Sequence, residues 1–228
     1  MAFFSSTLVG VKPMPVEIEI DVSDGLPFFQ IVGLPDAVLK ESKTRVKSAI
    51  MQSGFDFPYE KRVVLNLAPS KIKKEGSGFE LGLAARILAS CGYVPQPGHD
   101  VMFLGELALD GKVKSIPEIH ALAYGTKLRG FSGLLVVPSE NSEEISEALN
   151  VPVIPVSHLG DLRGQNWWEK TVSKSRSRIF QRANHSRESE EFLISKFSKF
   201  WAKHLVMATV GHLNYLLCGP PGCGKTYF

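Results

Sequence analysis

Arg62-Val63-Val64-Leu65-Asn66-Leu67 opens the stretch, Arg62 to Cys91, around which the rest of the chain is organised. Its apolar run reads as a short buried strand. A basic, glycine-containing loop follows, Ser70-Lys71-Ile72-Lys73-Lys74-Glu75-Gly76-Ser77-Gly78. From Phe79 to Ser90 the apolar residues Leu81, Leu83, Ala84, Ala85, Ile87, Leu88 and Ala89 cover nearly the whole circumference of a helix. A helix apolar on all sides is buried, so strand, loop and helix form the predicted centre of the first domain. Two readings of the loop stand: a solvated turn with a helix cap, or a nucleophile loop with Ser77 between two glycines.

Working back toward the N-terminus, Val16, Ile18, Ile20 and Val22 alternate with Glu17, Glu19 and Asp21, the period of a strand with one wet face. Ser23-Asp24-Gly25 reads as a turn and Phe28–Val32 as the hairpin partner of that strand. Leu34-Pro35-Asp36 starts a helix that places Val46, Ala49 and Ile50 on one face and stops at Gly54. Working forward, Phe103–Leu109 and Lys112–Ile116 flank Asp110-Gly111, a strong hairpin signal. A helix is predicted over Pro117–Leu128, a buried strand over Leu134–Val137 and a short helix over Ser142–Leu149. Val153–Val156 is expected at a sheet edge because of Pro155. The first domain is expected to close near Leu162-Arg163-Gly164.

Composition shifts beyond that point. Lys170 to Arg187 holds six Lys or Arg, four serines and no acidic residue, which reads as a solvated linker or an electrostatic foothold for phosphates such as those of DNA. Glu188–Val210 recovers a mixed helical pattern, and Tyr215-Leu216-Leu217-Cys218 reads as a short strand. After it, Gly219-Pro220-Pro221-Gly222-Cys223-Gly224-Lys225-Thr226 fits the P-loop pattern. Its glycines let backbone N–H groups converge on phosphate oxygens, Lys225 reaches the β and γ phosphates, and the Thr226 hydroxyl is the Mg²⁺ ligand. Only Tyr227 and Phe228 follow, so the expectation is that this chain alone binds ATP weakly and does not turn it over.

The whole has 228 residues, 44% hydrophobic and 21% charged, at a net charge of +3, enough chain for one full domain and part of another. Cys91, Cys218 and Cys223 lack metal-site spacing and read as reduced thiols. No stretch approaches the ~20 apolar residues of a membrane span, and the expected location is cytoplasmic.

The chain resembles the ComM/YifB-type, Mg-chelatase-subunit-like AAA+ ATPases. The resemblance rests on Gly33-Leu34-Pro35-Asp36, Lys40-Glu41-Ser42, Ser53-Gly54-Phe55, Asn66-Leu67-Ala68-Pro69, Lys74–Leu81, Leu104-Gly105-Glu106-Leu107, Leu109-Asp110-Gly111, Gly211-His212 and the P-loop. It implies an α+β class with three parts. Residues 1–162 form a domain like the proteolytic domain of Lon, of ribosomal-protein domain-2-like fold. Residues 163–190 are a basic linker, and 191–228 begin a truncated P-loop α/β segment. It further implies ATP and Mg²⁺ as cofactors, a homo-hexameric motor, and, in ComM proteins, branch migration of DNA during natural transformation. Alignment with Lon puts its serine–lysine dyad at Gly78 and His120, so no protease is expected. The family's Lys-Gly-Gln segment is not recognisable around Ser195-Lys196-Phe197-Ser198. The rival reading is a non-catalytic interaction module, and a porphyrin-metallating motor is a weaker third.

Overall fold

The computed structural model describes residues 2–9, 12–76, 78–116, 119–128, 130–149, 153–164 and 166–169. In chain order the elements are β1 (Phe3–Val9), β2 (Lys12–Asp24), β3 (Phe28–Val32), α1 (Ala37–Gln52), β4 (Lys61–Ala68) and α2 (Glu80–Ser90). There follow β5 (Val101–Phe103), β6 (Glu106–Leu107), β7 (Val113–Lys114), α3 (Ile119–Leu128), β8 (Leu134–Pro138), α4 (Ser139–Leu149) and β9 (Val153–Val156). Two 3₁₀ turns, Leu159–Leu162 and Trp167–Glu169, come last among the described residues. Among the described residues, seven strands form one mixed sheet in the order β3-β4-β2-β1-β5-β8-β9. The β1–β2 and β2–β4 pairs are antiparallel, while β3–β4, β1–β5, β5–β8 and β8–β9 are parallel. Helix and sheet pack together as expected, but as a mostly parallel α/β sheet rather than separate α and β regions.

Strand β3 is not the hairpin partner of β2. Strand β4 lies between them, antiparallel to β2 and parallel to β3. The alternation in β2 finds its match in β4, where Ile18, Ile20 and Val22 stand opposite Leu67, Leu65 and Val63. That match is longer than the five residues of β3 could supply. Strand β3 then joins the far side of β4 through the helical crossover that a parallel pair needs. Strand β1 has no alternation to announce it. Its Phe3, Ser5, Ser6 and Thr7 are all buried, which erases the one-sided period.

The helices lie on both faces. A side chain added at Gly82 of α2 would meet Ile18, and one added at Gly125 of α3 would meet Pro13. Positions 18 and 13 differ by an odd number along β2, so α2 and α3 cover opposite sides. Helix α2 is buried all round, as its composition predicts, and each of its leucines and Ile87 contributes about 1.5–3 kcal/mol of burial. The Asp110-Gly111 turn forms, joining the short β6–β7 hairpin. Gly111 sits at φ +90°, and a Cβ there would fall 2.2 Å from Ser53 Oγ. Strand β9 is the outer strand next to β8, consistent with Pro155. The core continues past Leu162: Trp167 is buried, donates from Nε1 to Pro95 O at 2.9 Å and lies 6.0 Å from the Phe103 ring.

Candidate functional site

Because β3 and β4 run parallel, the segments leaving their C-terminal ends emerge side by side, where an open α/β sheet presents its loops. From β3 come Gly33-Leu34-Pro35-Asp36, and from β4 the Ser70–Phe79 loop. Gly33 takes φ +95° with its α-carbon against β4; a Cβ would lie 2.3 Å from Leu67 O. Leu34 is also left-handed, at φ +60°, a costly backbone for a leucine that its neighbours must hold.

Lys74 does that holding. Its N–H donates to Leu34 O at 3.1 Å, and its C=O accepts from Asp36 N at 3.0 Å. Its ammonium, carried on a wholly buried residue, donates to Gly33 O at 2.7 Å and to Pro69 O. Burial pushes the Lys74 amine below the ordinary lysine range. Asp36 completes the junction. Its Oδ1 accepts from Leu39 N at 2.7 Å, capping α1, and Oδ2 accepts from Gly76 N at 3.1 Å. From β1, Thr7 Oγ1 accepts from Glu75 N and Ser5 Oγ donates to Gly78 O, each at 3.4 Å. The glycine loop is thereby fastened to β1, to the segment leaving β3 and to the start of α1.

Behind the loop stands an ion pair whose acidic member is buried and whose arginine is partly exposed. The Glu80 carboxylate is fully enclosed; Arg45 Nη2 and Nε reach Oε1 at 2.6 and 2.7 Å, and Leu107 N donates to Oε2 at 2.9 Å. Burial pushes the Glu80 carboxyl up, while Arg45 and the Leu107 amide pull it down. The pair ties α1, α2 and β6 together.

The two positions that alignment with Lon assigned to a dyad have different surroundings. Gly78 is buried, and a Cβ there would sit 2.7 Å from Ile116 Cδ1, with Leu122 next nearest. His120, on α3, pairs with Glu144 of α4 at 3.3 Å on a largely exposed face. Ser77 lies outside the described residues, as do the basic run Lys170–Arg187 and all of Gly219–Thr226. Among the described residues no group of three or more His, Cys, Asp or Glu could hold a metal, and no helix is long and apolar enough to cross a membrane. The helix-starting role of Asp36 was legible beforehand. Lys74 and Thr7 were not, since a lone buried lysine and an isolated threonine leave no periodic trace; their one signal is that Lys74 falls in a family-like stretch.

Residues 18–141 match the family model described as subunit ChlI of Mg-chelatase. The chain belongs to the ChlI family. The ChlI match runs from β2 into the start of α4 and takes in Gly33, Asp36, Lys74 and the Arg45–Glu80 pair. Within it the chain is of the ComM/YifB type. It is 32% identical over 228 residues to the competence protein ComM of Haemophilus influenzae, covering 98% of this chain and 44% of that protein. It is 30% identical over 223 residues to the uncharacterized protein YifB of Escherichia coli, covering 96% and 42%. An uncharacterized protein of Mycobacterium tuberculosis is 35% identical over 225 residues, covering 98% and 44%. The chain thus spans less than half the length of these curated relatives.

Proposed function

We propose that this chain serves an ATP-dependent, DNA-processing protein of the ComM type. The observation that carries the reading is the pairing, in one chain, of a ChlI-type domain with a complete P-loop sequence at Gly219–Thr226. The donor set suits a nucleotide bound with Mg²⁺. Glycine amides and the Lys225 ammonium favour phosphate oxygens, and the Thr226 hydroxyl favours a hard divalent cation. DNA enters through the likeness to the competence protein ComM, with the basic run Lys170–Arg187 as its electrostatic foothold. Hexamer formation belongs to the same proposal. So does a Lon-like shape for the first domain, in which the Lys74 junction and the Arg45–Glu80 pair serve as scaffold. The insertion of a metal into a porphyrin does not carry over, because shared descent does not transfer that chemistry.

The test is Mg-ATP hydrolysis in the presence of branched DNA by the protein purified from the cells that make it. Intact mass, read alongside, gives the length of the working polypeptide. Hydrolysis lost in Lys225→Ala with the native melting profile kept supports the proposal. Hydrolysis indifferent to Lys225, or none at all with DNA present, sinks it.

A further inference from the structure

The two outer strands of the sheet are finished differently. Strand β9 carries Pro155, which cannot donate to a further ladder. Strand β3, Phe28-Phe29-Gln30-Ile31-Val32, has neither proline nor charge, and no strand lies on its outer side among the described residues. Alternation of the backbone leaves half of its N–H and C=O groups aimed away from β4, and such an edge invites another strand. Apolar groups stand exposed at both ends: Leu26 at 89% before the strand and Phe28 at 47% as its first residue, Leu34 at 55% and Val38 at 46% after it.

What flanks this edge on the helix side is positive. Lys43 Nζ donates to Phe29 O at 3.0 Å and stands 5.9 Å from the Phe29 ring centre. Lys47, one turn on, lies 4.1 Å from the ring centre of Tyr59 and 5.6 Å from that of Phe57. Phe29 and Ile31 share the helix side with Val63 and Leu65, whereas Phe28, Gln30 and Val32 point to the other. A strand laid beside β3 would therefore set alternate side chains against the two ammonium groups, and the rest beside Phe28 and Val32. A second copy of the chain fits poorly. Antiparallel pairing of two β3 edges about Gln30 would bring two α1 lysine rows together on one face of the joined sheet.

The geometry points to β3 as a docking edge for an extended partner segment in which acidic and apolar residues alternate. Main-chain hydrogen bonds supply the recognition, and Lys43 and Lys47 select the acids. The Lys43 ammonium, which covers the Phe29 carbonyl in the free protein, is drawn off to a carboxylate as the strand arrives.

The probe is a labelled, end-capped Val-Glu-Val-Glu-Val-Glu-Val peptide titrated into the 228-residue chain and followed by anisotropy. Binding should vanish when one alternate set of its backbone amides is N-methylated and survive methylation of the other set. Lys47→Glu should weaken it at least about three-fold, the size of one exposed ion pair. The same peptide with lysine for glutamate should not bind. Indifference to methylation, or equal affinity in Lys47→Glu, would overturn the proposal. So would a dimer in sedimentation that dissociates in Phe28→Lys, or binding of oligo-dT to the Lys43–Lys47 face in place of the peptide.

Discussion

The Lys74 ammonium donates to the carbonyl of Gly33, 41 residues earlier, at 2.7 Å. With Pro69 O as its second acceptor it joins the segments that leave two adjacent strands, and does so on a buried residue. Lys74→Met keeps the stem and deletes the donor that the Gly33 and Pro69 carbonyls share. A loss of about 1–3 kcal/mol is expected in denaturant titration. The pH dependence follows from the lowered amine pKa. Between that value and the unfolded 10.5 the unfolded chain binds more protons, so this group makes stability rise as pH climbs through the window. Lys74→Met should remove that alkaline rise. An unchanged slope would mean the lysine is not desolvated.

Arg45→Met should destabilise by about 3–5 kcal/mol, because it leaves the Glu80 carboxylate buried without a cation. Burial holds the folded Glu80 carboxyl above the ordinary glutamate range, so its ionisation costs stability as pH rises through the folded pKa. Without Arg45 that cost grows, and the variant should recover part of its deficit at acidic pH. Arg45→Met with Glu80→Leu should regain most of the loss. Chemical denaturation at two pH values reads all three, and a double variant as unstable as the single one would count against the pair as the cause.

No peptide cleavage sensitive to Ser77→Ala is expected. Gly78→Ser should not create it either: its Cβ meets the Cδ1 tip of Ile116 at 2.7 Å, which must shift to make room, and should lower stability by about 1 kcal/mol. Cleavage of a fluorogenic peptide by Gly78→Ser, abolished by His120→Ala, would refute this.

A chain ending at residue 169 should melt higher than one ending at 162. Residues beyond 162 bring Trp167 into the core and set Arg163 Nη2 on Gly54 O at 2.7 Å. Trp167→Ala should cost about 3–5 kcal/mol. Equal melting of the two lengths would place the domain boundary at Leu162.

If the basic run meets DNA, binding should be indifferent to sequence and fall steeply with salt. Replacing Arg176, Arg178 and Arg182 by alanine should reduce the slope of log K against log salt by up to about 3. Equal slopes would leave the run as solvated chain.

Periodicity alone placed β2, β4, α1 and α2, because alternation and an all-round apolar helix are properties of consecutive residues. The Asp36 cap and the Asp110-Gly111 turn were legible for the same reason: each acts within a few positions of itself. The partner of β2 was not. Phe28–Val32 is near in sequence, but β4 offers the longer apolar match, and only assembly of the sheet compares the two. Strand β1, buried on both faces, had lost its period to the very packing that defines it. The roles of Lys74, Thr7 and the Arg45–Glu80 pair were likewise decided in three dimensions. Burying an ammonium or a carboxylate is tolerable only where distant groups supply its hydrogen bonds, and no local pattern of residues states which ones arrive.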